Sequence, residues 1–177
     1  AQSRPWNNYV LGGRQSENMF MTIADLDADG TKDALVAVKP RSLLFFRRAA
    51  EKPEKPTSWG LHTIALPERT GTGKGVAVGD LDRDGNPDVV LSCEGASGDK
   101  SGVIWLAWDK SPAEDSWTPH EISGPAGIKF DRLELLDVDG DGDLDVLACE
   151  ESQPVAGQRR GLGVFWYENR LASPTKP

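Results

Sequence analysis

Short apolar runs alternate with segments rich in Gly, Asp, Asn and Pro along the whole chain. The runs MFMTIA (19–24), ALVAV (34–38) and SLLFFRR (42–48) have the length and the β-branched or aromatic content that are typical of strands. No segment keeps the 3.6-residue apolar period of an amphipathic helix. The pattern therefore predicts an all-β protein with essentially no helix.

The apolar runs recur in the same order three times. In each set, one run leads into an acidic segment, a second run follows it, and a third run lies further on. A fourth run begins with W-x-x-H-x-I at Trp59 and at Trp117, and WNNYVL (6–11) has Trp, Tyr and Leu in the same places. Four short strands in a unit of about 40–60 residues are typical of a β-propeller blade. The runs of the second and third sets are GVAVG (75–79), VVLSC (89–93), GVIWLAW (102–108), RLELL (132–136), VLACE (146–150) and GVFWYEN (163–169).

These repeats predict one domain made of about three four-stranded antiparallel blades. The predicted boundaries are residues 1–177 for the domain, about 6–58, 59–116 and 117–170 for the repeats, and 171–177 for a disordered tail. Propellers close with four to eight blades, so three blades make a partial propeller or half of an oligomeric one.

Two arrangements could supply the missing blades. In a homodimer, each chain would lend its first strand, residues 6–11, to the other and close a six-bladed ring. Alternatively, these residues are one portion of a longer propeller. Both remain open at the level of the sequence.

Three acidic segments mark the turns between the first two runs of each unit. DLDADGTKD (25–33, loop 1), DLDRDGNPD (80–88, loop 2) and DVDGDGDLD (137–145, loop 3) all fit D-x-D-x-D-G-x-x-D. Asp at positions 1, 3 and 5 lets a tight turn aim three carboxylates at one point, while Gly at position 6 permits the sharp reversal. Position 7 can offer its backbone carbonyl, and the Asp at position 9 completes the set of ligands.

Oxygen ligands of this kind favour Ca²⁺, which takes six to eight of them, over the stricter octahedron of Mg²⁺. No clustered Cys or His suggests zinc. The loops are not EF-hands, because position 12 is Val36, Leu91 or Ala148 instead of the bidentate Glu. Asp-rich turns that cap their own backbone would explain one such loop but not three alike. We therefore expect about three calcium ions per chain.

Calcium would also account for the acidity of the chain. The three loops hold 13 of its 28 acidic residues, so three bound ions would change the net charge from −8 to about −2. No basic stripe with interleaved aromatic residues predicts nucleic-acid binding, and no apolar run is long enough to span a membrane. The two Cys residues are too few for a disulfide framework.

The loop between strands, the W-x-x-H-x-I motif and the VFWYEN strand together resemble the FG-GAP/VCBS-like repeat family. The resemblance covers about residues 6–170 and implies blades like those of integrin α-subunit propellers, with Ca²⁺ in the loop between the first and second strands. It implies the ligands Asp25, Asp27, Asp29, Thr31, Asp33, Asp80, Asp82, Asp84, Asn86, Asp88, Asp137, Asp139, Asp141, Asp143 and Asp145.

Two function classes follow for the predicted propeller. The first is a non-enzymatic binding or scaffold module, secreted or periplasmic, that recognises a glycan or a protein through the face opposite the calcium loops. The second is a propeller-type polysaccharide lyase or another carbohydrate-active enzyme, for which Lys74, Lys129 and Arg132 are the available cations. No catalytic spacing supports the second class, and no catalytic or organic-cofactor residues are assigned. His62 and His120 recur in register with the repeat, so a structural role is predicted for both.

Overall fold

A computed structural model of the chain describes residues 6–49, 58–114, 116–151 and 161–171. This part of the chain is all-β, as the sequence predicts, and contains no helix, hence none that is long and apolar enough to cross a membrane. The proposed tail, 171–177, lies outside the described residues except for Leu171.

Eleven strands form three antiparallel sheets that follow one another along the chain. The first two sheets have the orders β1-β2-β3-β4 and β5-β6-β7-β8, and the third has the order β9-β10-β11. No closed barrel is formed by the described residues. The strands are β1 Glu17–Ala24, β2 Asp33–Lys39, β3 Ser42–Arg48, β4 Trp59–Ala65, β5 Thr72–Gly79, β6 Asp88–Glu94, β7 Val103–Trp108, β8 Trp117–Glu121, β9 Phe130–Leu136, β10 Asp145–Glu150 and β11 Val164–Tyr167.

Each sheet packs one face against the sheet that follows it, and we call this its forward face. Leu35, Leu43 and Phe45 on the forward face of the first sheet are fully buried against Val89 and Leu91 of the second. The alternation of side chains along a strand explains the arrangement, since neighbouring residues point to opposite faces. A central sheet is therefore apolar on both faces, and β6 is buried along nearly its whole length.

The second and third sheets repeat this packing. Val90 and Val103 on the forward face of the second sheet lie in one cluster with Phe130, Leu133 and Val146 of the third. The innermost strands β1, β5 and β9 are neighbours in this series, with β5 in contact with both of the others. The three sheets are thus arranged like consecutive blades of a partial propeller.

Two details differ from the predicted three four-stranded blades. The third sheet has three strands among the described residues, because no described segment pairs with the outer edge of β11. The segment 6–11, whose sequence matches β4 and β8, forms no strand and is exposed. In addition, the sheets are offset by one strand from the sequence repeats, since β4, which begins at Trp59, completes the first sheet.

Candidate metal centre

The three acidic loops adopt the same backbone path between the first two strands of each sheet. In every loop the Gly at position 6 has a left-handed backbone, with φ of 87°, 94° and 93° for Gly30, Gly85 and Gly142. Its N–H donates to one carboxylate oxygen of the Asp at position 1, at 2.8, 3.0 and 3.1 Å. Glycine adopts this conformation without the steric cost that a Cβ would add, so the sequence signal at position 6 has a direct structural cause.

Each loop brings three carboxylates together. One oxygen from each member of the set lies within 4.8 Å of the other two. The sets are Asp25, Asp27 and Asp29 in loop 1, Asp80, Asp82 and Asp88 in loop 2, and Asp137, Asp139 and Asp145 in loop 3. Positions 1 and 3 converge in all three loops, whereas the third member is position 5 in loop 1 and position 9 in loops 2 and 3.

The Asp at position 9 is the buried base of each loop. Asp33, Asp88 and Asp145 are 0–2% exposed. Each accepts a hydrogen bond from the backbone N–H of position 2, at 3.2, 2.8 and 2.9 Å respectively. The second oxygen of Asp33 accepts the N–H of Arg48, and that of Asp145 accepts the N–H of Asn169, both at 2.8 Å. Asp33 and Asp145 therefore tie their loops to the third strand of the sheet or to the segment directly after it.

The remaining predicted ligands bond within their own turns. The carboxylates of Asp84 and Asp141 at position 5 accept the backbone N–H groups of Asn86 and Asp143 at position 7, at 2.7 and 3.1 Å. In loop 1 the N–H of Thr31 donates to Asp29 in the same way, at 2.8 Å. Such Asx turns direct the position-7 backbone, and they also show that the loops cap their own N–H groups.

Loop 2 contains a buried oxygen that these turns leave unused. Asp80 Oδ2 accepts the N–H of Gly85, while Asp80 Oδ1 is buried and has no hydrogen-bond partner. A buried carboxylate oxygen without a partner is costly, unless a cation satisfies it. The same loop strongly perturbs Asp88. Burial raises the pKa of Asp88 to about 7, with a smaller contribution from the negative charges of Asp82, Asp84 and Asp80. The hydrogen bond from the N–H of Leu81 lowers this pKa but does not offset the burial.

The residues of loops 2 and 3 fit a hard divalent cation. Oxygens bound to Ca²⁺ at about 2.3–2.6 Å lie at most about 5 Å from one another, and the clustered oxygens meet this limit. The available donors are carboxylate and backbone carbonyl oxygens. No sulfur or imidazole is among them, and this set is unlike the Cys and His ligands of zinc sites. The hydrogen bond from Gly85 to Asp80 Oδ2 orients this carboxylate, and a cation would satisfy its buried Oδ1.

Loop 1 differs because a protein cation already contacts it. Arg47 Nε donates to Asp27, and Arg47 Nη2 lies 3.5 Å from Asp29 Oδ2. The hydrogen bond and charge of Asp27 raise the pKa of Arg47. The corresponding positions on β7 and after β11 are Ala107 and Glu168. The sequence shows that only the first unit has Arg at this position. The contact of its guanidinium with loop 1 depends on the β2–β3 pairing, which places β3 beside the loop.

The opposite rim of the sheets carries ion pairs that link one sheet to the next. Lys39 Nζ lies 2.9 Å from Glu17 and 3.2 Å from Glu94 of the second sheet. Lys74, which is 8% exposed, contacts Glu94 at 3.4 Å and forms an ion pair with Asp131 of the third sheet. This rim contains the predicted ligand face, of which residues 152–160 lie outside the described residues.

Both histidines, together with Trp105 and Trp108, pack within the sheets. His120 stacks on Trp105 with ring centroids 4.0 Å apart, and His62 lies 5.8 Å from Phe45, each across a strand pair. Trp108 is 9% exposed and donates its indole N–H to the carbonyl of Pro87 at 2.8 Å. It therefore supports the end of loop 2 instead of presenting a surface.

One feature of the molecule has no counterpart in the sequence motifs. A cleft of about 660 Å³ lies between the second and third sheets beside β11, and its lining includes Trp105, Ile122, Trp166 and Tyr167. The cleft lies beside the edge of β11, which pairs with no fourth strand among the described residues, so only the strand pairing reveals it.

Comparison with known proteins supports the repeat. A family model described as an FG-GAP-like repeat matches residues 25–91, which run from loop 1 through β2–β5 and loop 2 into β6 and make up less than half of the chain. No curated protein matches the sequence. The matched segment contains two of the acidic loops and the strands that position them, as the sequence resemblance predicts. The chain therefore carries an FG-GAP-like repeat across residues 25–91.

Proposed function

We propose that the chain is a calcium-stabilised, non-enzymatic β-propeller module that binds a glycan or protein ligand through the rim opposite its acidic loops. The observation that carries the proposal is in loop 2, where Asp80 Oδ1 is buried without a hydrogen-bond partner in a cluster of three carboxylates. Asp88, at the base of this cluster, has its pKa raised to about 7 by burial and by its acidic neighbours. A bound cation would relieve both costs at once.

The role of calcium here is structural. The ligands would be the side chains of positions 1, 3, 5 and 9 and the backbone carbonyl of position 7 in each loop, with about three ions per chain. Bound Ca²⁺ supplies positive charge that offsets the repulsion between neighbouring carboxylates. Because Asp33 bonds to the backbone at the end of β3 and Asp145 to the backbone just after β11, fixing the loop fixes the first three strands of a sheet together.

The ligand face is assigned to the opposite rim by its composition. It carries both signs of charge, including the exposed pairs Arg69–Asp99 and Lys129–Glu151. Exposed, mixed polar groups suit hydroxyl-rich or charged ligands such as glycans or protein surfaces. A secreted or periplasmic location accompanies the proposal, since calcium sites of the weaker classes fill where free calcium is abundant.

The three cations that a lyase could use all have carboxylate partners. Lys74 pairs with Asp131 and Glu94, and Arg132 with Glu134. The hydrogen bond from Lys129 to Glu151, at 2.5 Å, raises the pKa of Lys129. A general base must lose its proton near the working pH, and a carboxylate partner opposes this loss. These pairs favour a binding module over the enzyme.

Equilibrium dialysis with radioactive calcium tests the metal part of the proposal. The wild type should bind about three ions per chain. Asp80→Asn should remove or weaken one of them by at least tenfold, because it replaces a charged ligand, whereas Asp99→Asn on the opposite rim should bind as the wild type does. Absence of saturable binding to the folded wild type would contradict it. Glycan-array binding with no product released from uronic polysaccharides would separate the binding module from the lyase.

A further inference from the structure

The forward face of the third sheet is exposed where the first two sheets are covered. Val164 is 79% exposed, while its repeat equivalents Leu43 and Val103 are 0% exposed. Trp166 is 38% exposed, while its equivalent Phe45 is 0% exposed. In the first two sheets the next sheet covers these positions. A surface like the rear face of a following sheet would therefore fit the forward face of the third sheet.

The rear face of the first sheet is exposed along β1, whereas Leu44 and Phe46 of β3 on the same face are 6 and 4% exposed. Met21 is 59% exposed, whereas its equivalent Val76 on β5 is 8% exposed because the first sheet covers it. Ile23 on the same face is 53% exposed. The chain thus shows an exposed forward face on its third sheet and an exposed strip along β1 on the rear face of its first sheet. These surfaces belong to the two sides of a contact that the chain already makes twice within itself.

The edge of β11 and the segment 6–11 are also complementary. On the first sheet, β3 pairs with β4 so that Leu43 lies opposite Ile64 and Phe45 opposite His62. The same register on β11 would place Leu11 opposite Val164 and Tyr9 opposite Trp166. Trp6, Tyr9, Val10 and Leu11 are 97, 80, 54 and 44% exposed, so the segment has the pattern of a fourth strand without the contacts of one.

We propose that a second copy of this chain docks head to tail, with its residues 6–11 pairing with β11 and its first sheet covering the third. The cleft of about 660 Å³ beside β11 is where the added strand would lie. Since the contact uses different surfaces on the two chains, it must close to avoid a filament. Two copies related by a two-fold axis give six sheets, within the range of four to eight in which propellers close.

The second copy is the favoured occupant for a geometric reason. Within one chain the first sheet packs on the second, and β1 and β9 both contact β5 in between. Gly12, which directly follows the segment 6–11, lies against the first sheet, since a Cβ on it would meet the ring of Phe46 at 2.8 Å. Its own β11 is thus two sheets away, while the β11 of a second chain is adjacent in a head-to-tail arrangement.

Light scattering after size-exclusion chromatography tests the association of the 177-residue chain. The expected mass is twice the chain mass of 19.2 kDa. Tyr9→Asp should raise the dimer dissociation constant at least about tenfold, because it places a carboxylate against Trp166. Tyr9 has few contacts within its own chain, so folding should be unaffected. The matched control Ile128→Asp, at an exposed apolar position on the opposite rim, should remain dimeric. A monomer at all concentrations, or equal effects of both variants, would overturn the proposal.

Disulfide trapping tests the register and the identity of the occupant. In a Cys149→Ser background, chains with Leu11→Cys are mixed with chains carrying Val164→Cys and oxidised. Opposed strand residues lie within the Cα range of a disulfide, so a linked pair of one chain of each kind is expected. With both substitutions in one chain, a two-chain species should form. A disulfide within a single chain, or no specific link, would contradict docking of a second copy.

Discussion

Arg47 provides the sharpest prediction about the acidic loops. Its guanidinium contacts Asp27 and Asp29, two of the three carboxylates that converge in loop 1. A calcium ion in this loop would have to share those oxygens with Arg47 or displace it. Loops 2 and 3 have no guanidinium at the equivalent position, where Ala107 and Glu168 stand. We therefore expect loop 1 to be the weakest calcium site, and Arg47→Ala to strengthen it.

Coulomb's law sets the magnitude. A divalent ion about 5 Å from a guanidinium in a water-like dielectric is repelled by about 2 kcal/mol. The high dielectric is appropriate because the Arg47 side chain is 48% exposed. Since about 1.4 kcal/mol corresponds to a factor of ten, Arg47→Ala should tighten the weakest site by about 10- to 30-fold at low salt. The gain should shrink as salt screens the exposed charge.

Isothermal titration calorimetry at low ionic strength resolves the sites. The wild type should show either three sites of different affinity or two tight sites and one weak site. In Arg47→Ala the weakest of these sites should become tight. The reciprocal variant Ala107→Arg places a guanidinium at the equivalent position beside loop 2 and should weaken one tight site by a similar factor. An Arg47→Ala protein whose weakest site is unchanged or weaker would refute the reasoning, because the guanidinium would then support the loop.

Three further predictions follow from the described residues. In EGTA, the pKa of Asp88 is about 7, against 3.8 for an ordinary Asp, so the folded state holds this proton more tightly than the unfolded state does. The stability that this proton contributes is therefore lost as pH rises through about 7. Urea unfolding between about pH 5.5 and 8.5 should show a smaller loss of unfolding free energy for Asp88→Asn than for the wild type. Arg83 at position 4 of loop 2 has φ of 61° where loop 3 has Gly140, so Arg83→Gly should raise the free energy of unfolding in calcium by up to about 1 kcal/mol, and a lower midpoint in thermal melts would count against it. Burial raises the pKa of Cys93 to about 12, so iodoacetamide should modify the folded protein at Cys149 and leave Cys93 unmodified in peptide mass spectra, whereas equal labelling would show that β6 is accessible.

Much of the fold follows from local patterning. The runs 34–38 and 89–93 lie between an acidic loop and a turn, and their β-branched content fits the buried β2 and β6. Repetition made the sheet order predictable as well, because each unit must bury its apolar faces against its neighbours. The position-6 glycines and the position-9 aspartates gave the loop geometry for the same local reason.

Other features depend on contacts between residues that are distant in sequence. The pairing of Arg47 with loop 1 arises from the β2–β3 register and the side chain's reach, neither of which a motif contains. The residue types of Ala28 and Arg83 do not predict their left-handed backbone, since both ordinarily avoid it, and only Gly140 at the equivalent position of loop 3 indicates it. The burial of Trp108 likewise depends on its hydrogen bond to Pro87, twenty-one residues earlier in the chain. The exposed edge of β11 appears only when strand partners are known.

Chemical unfolding with and without calcium tests the central claim most directly. If the loops bind calcium and thereby hold the strands of each sheet together, the free energy of unfolding should rise on replacing EGTA with calcium. Each site should add about 2.7 kcal/mol when free calcium is about 100 times its dissociation constant. Magnesium at the same concentration should give a smaller rise. Superimposable unfolding curves in EGTA and in saturating calcium would contradict the account.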